Sequence, residues 1–205
     1  MKIFFTADCH FNHANIIKYC NRPFYTKDDF IDFNPERLAY MVWKNEKIKQ
    51  KRINQMNEHL IKQWNSVVTE NDLVYHVGDF SYGNQETIRD LENRLNGKIV
   101  HILGNHDKNN GVKSRITKCI MEFGTKEIFV QHHPPEFCIL SDFAICGHVH
   151  EKWKHKILTD NINSHPDYII INVGVDVWNY TPVSMNNVLK YFYKVKNKWI
   201  DKYEK

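Results

Sequence analysis

Short apolar runs, each closed by polar residues, recur along most of this chain. Residues 2–6 carry Ile3, Phe4 and Phe5 between polar ends, which predicts a buried strand. Residues 72–77, 98–103, 127–131, 142–146 and 168–173 repeat the pattern. Other stretches have helical spacing. Ile88, Leu91 and Leu95 share one face of a helix over 84–95, and Gly97 closes it. A short helix is expected over 13–19, and another over 185–194 behind Ser184 as its cap. Met56, Leu60, Ile61 and Trp64 form a further helical stripe. Strands thus alternate with helices, and polar residues collect where strands end. This order predicts an α/β fold. Open α/β sheets bind ligands at the carboxyl ends of their strands, so these distant polar residues should meet along one edge.

The segment 24–57 breaks the alternation. It holds a Lys27-Asp28-Asp29 turn, Pro35, an expected helical stretch through Met41, Val42 and Trp43, and a basic run over 44–52. A charge run is usually a solvated helix face. A second reading makes the segment a lid or substrate platform, with Tyr40 and Trp43 stacking a base while the lysines hold phosphate.

The chain has 205 residues, 42% hydrophobic and 25% charged, which fits one soluble domain with a substantial core. We read a single domain over 1–205 with the insert at 24–57. A net charge of +4 suits an anionic substrate without pointing to nucleic acid. No apolar run is long enough for a signal peptide or a membrane span, so a cytoplasmic, membrane-free protein is expected. Five cysteines lack CxxC spacing and read as reduced, mostly buried thiols.

The chemistry lies at the strand ends. Asp8-Cys9-His10, Gly78-Asp79, Gly104-Asn105-His106-Asp107, His132 and Gly147-His148-Val149-His150 follow one another in order. In an extended backbone Asp8 and His10 point the same way and Cys9 points away. Carboxylates, imidazoles and one amide without thiolate suit Mn²⁺, Fe or Zn²⁺ better than Ca²⁺. Each piece alone is weak, since Gly-Asp is most often a turn. The ordered set after successive strands is what carries weight.

That order resembles the calcineurin-like metallophosphoesterase superfamily, whose motifs run D-x-H, G-D, G-N-H-D/E, H and G-H-x-H. The resemblance spans residues 8–150. The stretch from Thr6 to Ile17, together with Asn21-Arg22-Pro23-Phe24 and the run from Asn172 to Trp178, is similar to a small bacterial and phage branch of predicted phosphoesterases. The segment 24–57 looks longer than in that branch. The resemblance implies an α/β sandwich, with two central mixed sheets flanked by helices. It implies one ion on Asp8, His10, Asp79 and His150, and a second on Asp79, Asn105, His132 and His148, with Asp79 bridging. His132 is chosen over His133 because Pro134 completes H-x-P. His106 would assist the leaving group, and Asp107, accepting from its imidazole, would orient it.

The implied activity is dimetal-dependent hydrolysis of phosphate esters by a metal-bridging hydroxide. Mn²⁺ is favoured as the cofactor, with Fe, Zn²⁺ or Ni²⁺ as alternatives. A phosphodiesterase on a small or nucleotide-like substrate is the first reading. A phosphomonoesterase or nuclease is the second, and a non-catalytic scaffold with this fold the third. The scaffold would be expected to lack ligands that this chain retains.

His13 is a candidate substrate contact, though capping the helix after it is the simpler role. His76 and His101 read as packing residues, and His133 as a neighbour of the ligands or a substrate contact. Residues 152–156 read as a solvated loop. Asn172, Asp176 and Trp178 either line the pocket or shape a turn.

Overall fold

The computed structural model describes residues 1–159 and 168–203. In chain order its main elements are β1 (Ile3–Thr6), α1 (Ala14–Tyr19), β2 (Phe30–Ile31), β3 (Val42–Trp43) and α2 (Glu46–Val67). Then come β4 (Leu73–Val77), α3 (Gln85–Glu92), β5 (Lys98–Ile102), β6 (Lys118–Phe123), β7 (Lys126–Gln131) and β8 (Phe143–Cys146). The last are β9 (His155–Leu158), β10 (Tyr168–Asn172), β11 (Val183–Ser184) and α4 (Met185–Tyr203).

Two mixed sheets face each other, in the orders β11-β1-β4-β5 and β6-β7-β8-β10-β9. Alternation along the strands divides the core. In β1, Phe5 turns inward to the other sheet while Phe4 turns outward to the helices. In β8, Phe143 and Ile145 face inward and Ala144 and Cys146 outward. The inter-sheet core joins Phe5, Val77 and Ile102 to Ile128, Ile145 and Ile171, and α4 adds Val188 and Phe192. The Phe192 ring stacks on Phe143 at 4.5 Å. Ile17, Met56, Leu60, Trp64 and Leu91 of α1, α2 and α3 cover Phe4 and Val74 on the outside of the first sheet. Each such side chain contributes roughly 1.5–3 kcal/mol by leaving water.

Parallel pairing decides where the site lies. β1, β4 and β5 run parallel in one sheet, and β7, β8 and β10 in the other. Ala7 and Gly174 form a parallel bridge between the two sheets, so all six carboxyl ends share one edge.

Some local expectations change. Val42 and Trp43 are a strand paired with Phe30 and Ile31, and the helical turn lies earlier, over Pro35–Tyr40. Alternation explains this: Phe30 and Trp43 pack at 4.6 Å on one face, leaving Ile31 and Val42 on the other. The basic run largely starts α2, capped by Asn45, and Arg52 is tied to Asp29 at 2.9 Å. Residues 152–156 are not a solvated loop. His155 opens β9 and Lys154 Nζ sits 3.5 Å from the Trp178 ring centre. Among the described residues no helix is long and apolar enough to cross a membrane.

Candidate metal centre

Every predicted ligand arrives at the shared edge. Potential ligand atoms of Asp8, His10 and His150 lie within 4.8 Å of one another, as do those of Asp8, Asp79 and His132. One carboxylate oxygen stands between the two sides. Asp79 Oδ2 is 3.5 Å from His10 Nε2 and 3.3 Å from His132 Nε2. Asn105 Oδ1 lies 3.2 Å from His132 Nε2 and 3.1 Å from His148 Nδ1. His133, with His132 and His148, forms a third close group, its ring 4.0 Å from that of His148.

The backbone bends sharply to achieve this. Asp8, His10, Asp79, His148 and His150 all have positive φ, between 48° and 70°. The expectation of an extended Asp8-Cys9-His10 is therefore corrected. β1 ends at Thr6, and left-handed residues aim the ligands instead. Cys9 still turns away, into the core beneath the helices. Non-glycine residues in this region cost on the order of 1 kcal/mol each, and such strain gathers at functional sites. Gly104 is required by contact rather than by φ. A Cβ there would lie 2.1 Å from Asp79 Oδ1.

Second contacts fix the rings. His132 Nδ1 donates to Val77 O at 2.8 Å, which aims Nε2 at Asp79. His150 Nδ1 is 3.0 Å from Asp176 Oδ2. His148 N donates to both Asp8 oxygens, at 3.0 and 2.9 Å. Both ring nitrogens of His10 are buried without a hydrogen-bond partner. Unpaired nitrogens among carboxylates, with nitrogen and oxygen donors throughout, fit a divalent cation well.

The electrostatics follow from burial and crowding. Burial pushes the Asp8 carboxyl up to about 6. Burial also works against ionised Asp79, but the hydrogen bond and charge of His132 outweigh it and hold that carboxyl low. His132, opposed by burial but paired with Asp79, is raised to about 9. Burial lowers His10 well below its usual value, and lowers His148 to about 4.

Asp107 departs from expectation. Its carboxylate accepts from the backbone amides of Asp79 at 2.7 Å, Phe80 at 2.9 Å and Gly104 at 2.8 Å. It therefore locks two ligand loops together, and those amides occupy it rather than the imidazole of His106. The partner of His106 Nδ1 is the hydroxyl of Tyr82, at 2.9 Å. His106 is 44% exposed, with Nε2 4.0 Å from Asp79 Oδ2. His13 occupies the cap position of α1, but its side chain makes no capping bond. Its ring stacks instead on Tyr82 at 4.1 Å, beside His106. His76 packs edge-on against Phe80, and His101 pairs with Glu92 at 2.7 Å, both away from the ligands.

Sequence reading missed Tyr82 as the partner of His106, and Arg22 as a site residue. Tyr82 lies three residues after Asp79, so it had a positional signal. Arg22 had only its place in Asn21-Arg22-Pro23-Phe24. Asp176 and Asn172, left open above, shape the site from behind. Asn172 Nδ2 donates to the carbonyls of His150 and Trp153, both at 2.8 Å.

The calcineurin-like phosphoesterase superfamily domain matches residues 56–179, and the chain belongs to that superfamily. The chain is also similar to an uncharacterized protein, MJ1445, of Methanocaldococcus jannaschii. The two are 36% identical over 197 residues, covering 95% of this chain and 93% of that one. A crystal structure of a protein of unknown function, AQ665, from Aquifex aeolicus shares the fold. Its TM-score is 0.58 at 20% identity, covering 93% of this chain and 98% of that one.

Proposed function

We propose that this phosphoesterase is a dimetal enzyme that cleaves phosphodiester bonds in a small or nucleotide-like substrate. The observation that carries the reading is the single Asp79 oxygen set between His10 and His132, at 3.5 and 3.3 Å. A carboxylate so placed would be able to serve two cations at once. Asp8, His10, Asp79 and His150 would hold the first, and Asp79, Asn105, His132 and His148 the second. When bound, such ions supply charge to the phosphoryl oxygens and lower the pKa of water.

The chain's own residues do the rest. With the Tyr82 hydroxyl donating to Nδ1, His106 keeps its proton on Nε2, the nitrogen nearer Asp79. That N–H can donate a hydrogen bond to the departing alkoxide oxygen and stabilise its developing charge. His13, stacked on Tyr82 beside His106, is placed to touch the substrate. The donor set favours Mn²⁺, with Fe, Zn²⁺ or Ni²⁺ as alternatives. A net charge of +4 favours a small anionic substrate over extended nucleic acid, and a cytoplasmic location fits five cysteines that are free thiols.

The test is Mn²⁺-dependent hydrolysis of bis-p-nitrophenyl phosphate beside p-nitrophenyl phosphate, with Asp79→Ala as the control. A diester preference that vanishes in the control supports the proposal. A monoester preference makes the enzyme a phosphatase. Neither activity, in a protein that also binds no metal, favours a scaffold.

A further inference from the structure

Among the described residues, Arg22 is the one arginine that is fully buried, with 0% of its surface exposed. It lies outside both proposed cation shells, yet its guanidinium touches the site's framework throughout. Nε and Nη2 donate to the two oxygens of Asp176 at 2.8 and 3.0 Å. Nη2 also donates to Asp8 O at 2.7 Å, and Nη1 to Cys9 O at 2.9 Å. Asp8 has a φ of 58°, so these bonds grip the left-handed turn that aims its carboxylate. On its other side, Asp176 Oδ2 faces His150 Nδ1 at 3.0 Å, and His150 is itself left-handed at 49°.

A buried arginine is costly unless its charge is paired and its donors are satisfied. Here the planar fork matches the carboxylate in two parallel bonds, which lysine could not copy. The pair joins positions 8, 22, 150 and 176, from both sheets, at the place where Ala7 and Gly174 bridge them. Asp176 and Cys20 also lie within 4.8 Å of a His150 ring nitrogen. Asp176 is nonetheless poorly suited to be a ligand, because Arg22 occupies both of its oxygens.

We propose that Arg22 and Asp176 are positioning residues for the cation shell formed by Asp8, His10 and His150, acting by holding the Asp8 turn and by fixing His150 with its proton on Nδ1 and Nε2 bare. The second shell does not depend on them, since Val77 O orients His132. This rests on the dimetal reading above. Buried carboxylates behind ligating histidines typically contribute 10–100-fold in metal affinity.

The experiment measures Mn²⁺ stoichiometry and affinity by equilibrium dialysis for the natural chain, Asp176→Asn and Arg22→Lys. Melting curves of the metal-free proteins report folding. Asn at 176 offers one acceptor oxygen where Arg22 and His150 use two. The expected result is two ions on the natural chain. Each variant should keep one at unchanged affinity and bind the other about 10–100-fold more weakly. Two ions bound equally well by a folded Asp176→Asn would overturn the inference and leave the dimetal reading standing. Fewer than two ions on the natural chain would overturn the dimetal reading itself, and the inference with it. Should neither variant fold, ¹⁵N-histidine NMR of the natural chain decides. Metal-free His150 should carry its proton on Nδ1, and Zn²⁺ should shift Nε2. A proton on Nε2 would overturn the inference.

Discussion

The Tyr82 hydroxyl lies 2.9 Å from Nδ1 of His106. A neutral phenol therefore stands where a carboxylate partner was expected. A carboxylate would draw His106 toward the charged imidazolium, whereas tyrosine fixes a tautomer without adding charge. Tyr82→Phe keeps the ring on which His13 stacks and removes only that hydrogen bond. It should lower kcat about 10-fold with metal content unchanged, while His106→Ala should lower kcat by roughly two to four orders. Steady-state kinetics with metal analysis checks both. Equal kcat for Tyr82→Phe and the natural enzyme would remove Tyr82 from the mechanism.

Asp79 should be indispensable in a different way. Its loss removes the oxygen nearest both histidine sides and the acceptor for His106 N. Asp79→Ala should abolish hydrolysis and weaken both ions together. Retention of two tightly bound ions, read by elemental analysis after dialysis, would contradict the bridging role.

Asp107 should act on stability before chemistry. Asp107→Ala strands three buried amides, of Asp79, Phe80 and Gly104. Each unsatisfied donor costs about 1–3 kcal/mol. Urea unfolding should show a loss of about 3 kcal/mol or more. A stable variant that loses only kcat would restore an imidazole-orienting role.

The site should also set a pH dependence of the metal-free protein. Asp8, raised by burial to about 6, contributes stability that is lost as pH climbs from 3.8 through 6. His132, raised to about 9 by Asp79 against burial, loses its contribution between 6.5 and 9. Asp79 is held low, so its contribution is present above 3.8 and lost only in stronger acid. Below pH 6.5 the loss at Asp8 is opposed by His10 and His148, whose burial-lowered values favour the fold as pH rises, so metal-free protein should grow less stable at this site from pH 6.5 to 9. Mn²⁺ needs Asp8 ionised and His132 unprotonated, so its stabilisation should be larger at pH 8 than at pH 5. Calorimetry of EDTA-treated protein with and without Mn²⁺ measures this. An equal rise in Tm at both pH values would argue against competition between protons and metal.

By itself the sequence determined the strand-and-helix order, the ligand types and their gathering on one edge. Those follow from short-range chemistry. Period-two alternation in β1, β4 and β8 dictates which face is buried, and parallel order puts Asp8, Asp79, His132 and His148 at strand ends. The β2–β3 pairing was hidden because two-residue strands carry too little pattern to oppose a helical reading of Met41, Val42 and Trp43. Only the tertiary structure decided which partner each polar group takes. Asp107 is adjacent to His106 in sequence, yet its oxygens close on amides of the Asp79 loop and on that of Gly104 in its own loop. Arg22 reaches Asp176 across 154 positions. Those choices depend on which unpaired donors and acceptors the folded chain brings within 3 Å, and burial makes leaving any of them unmet costly. Local pattern fixes which residues can do chemistry; long-range satisfaction of buried polar groups fixes how they are aimed.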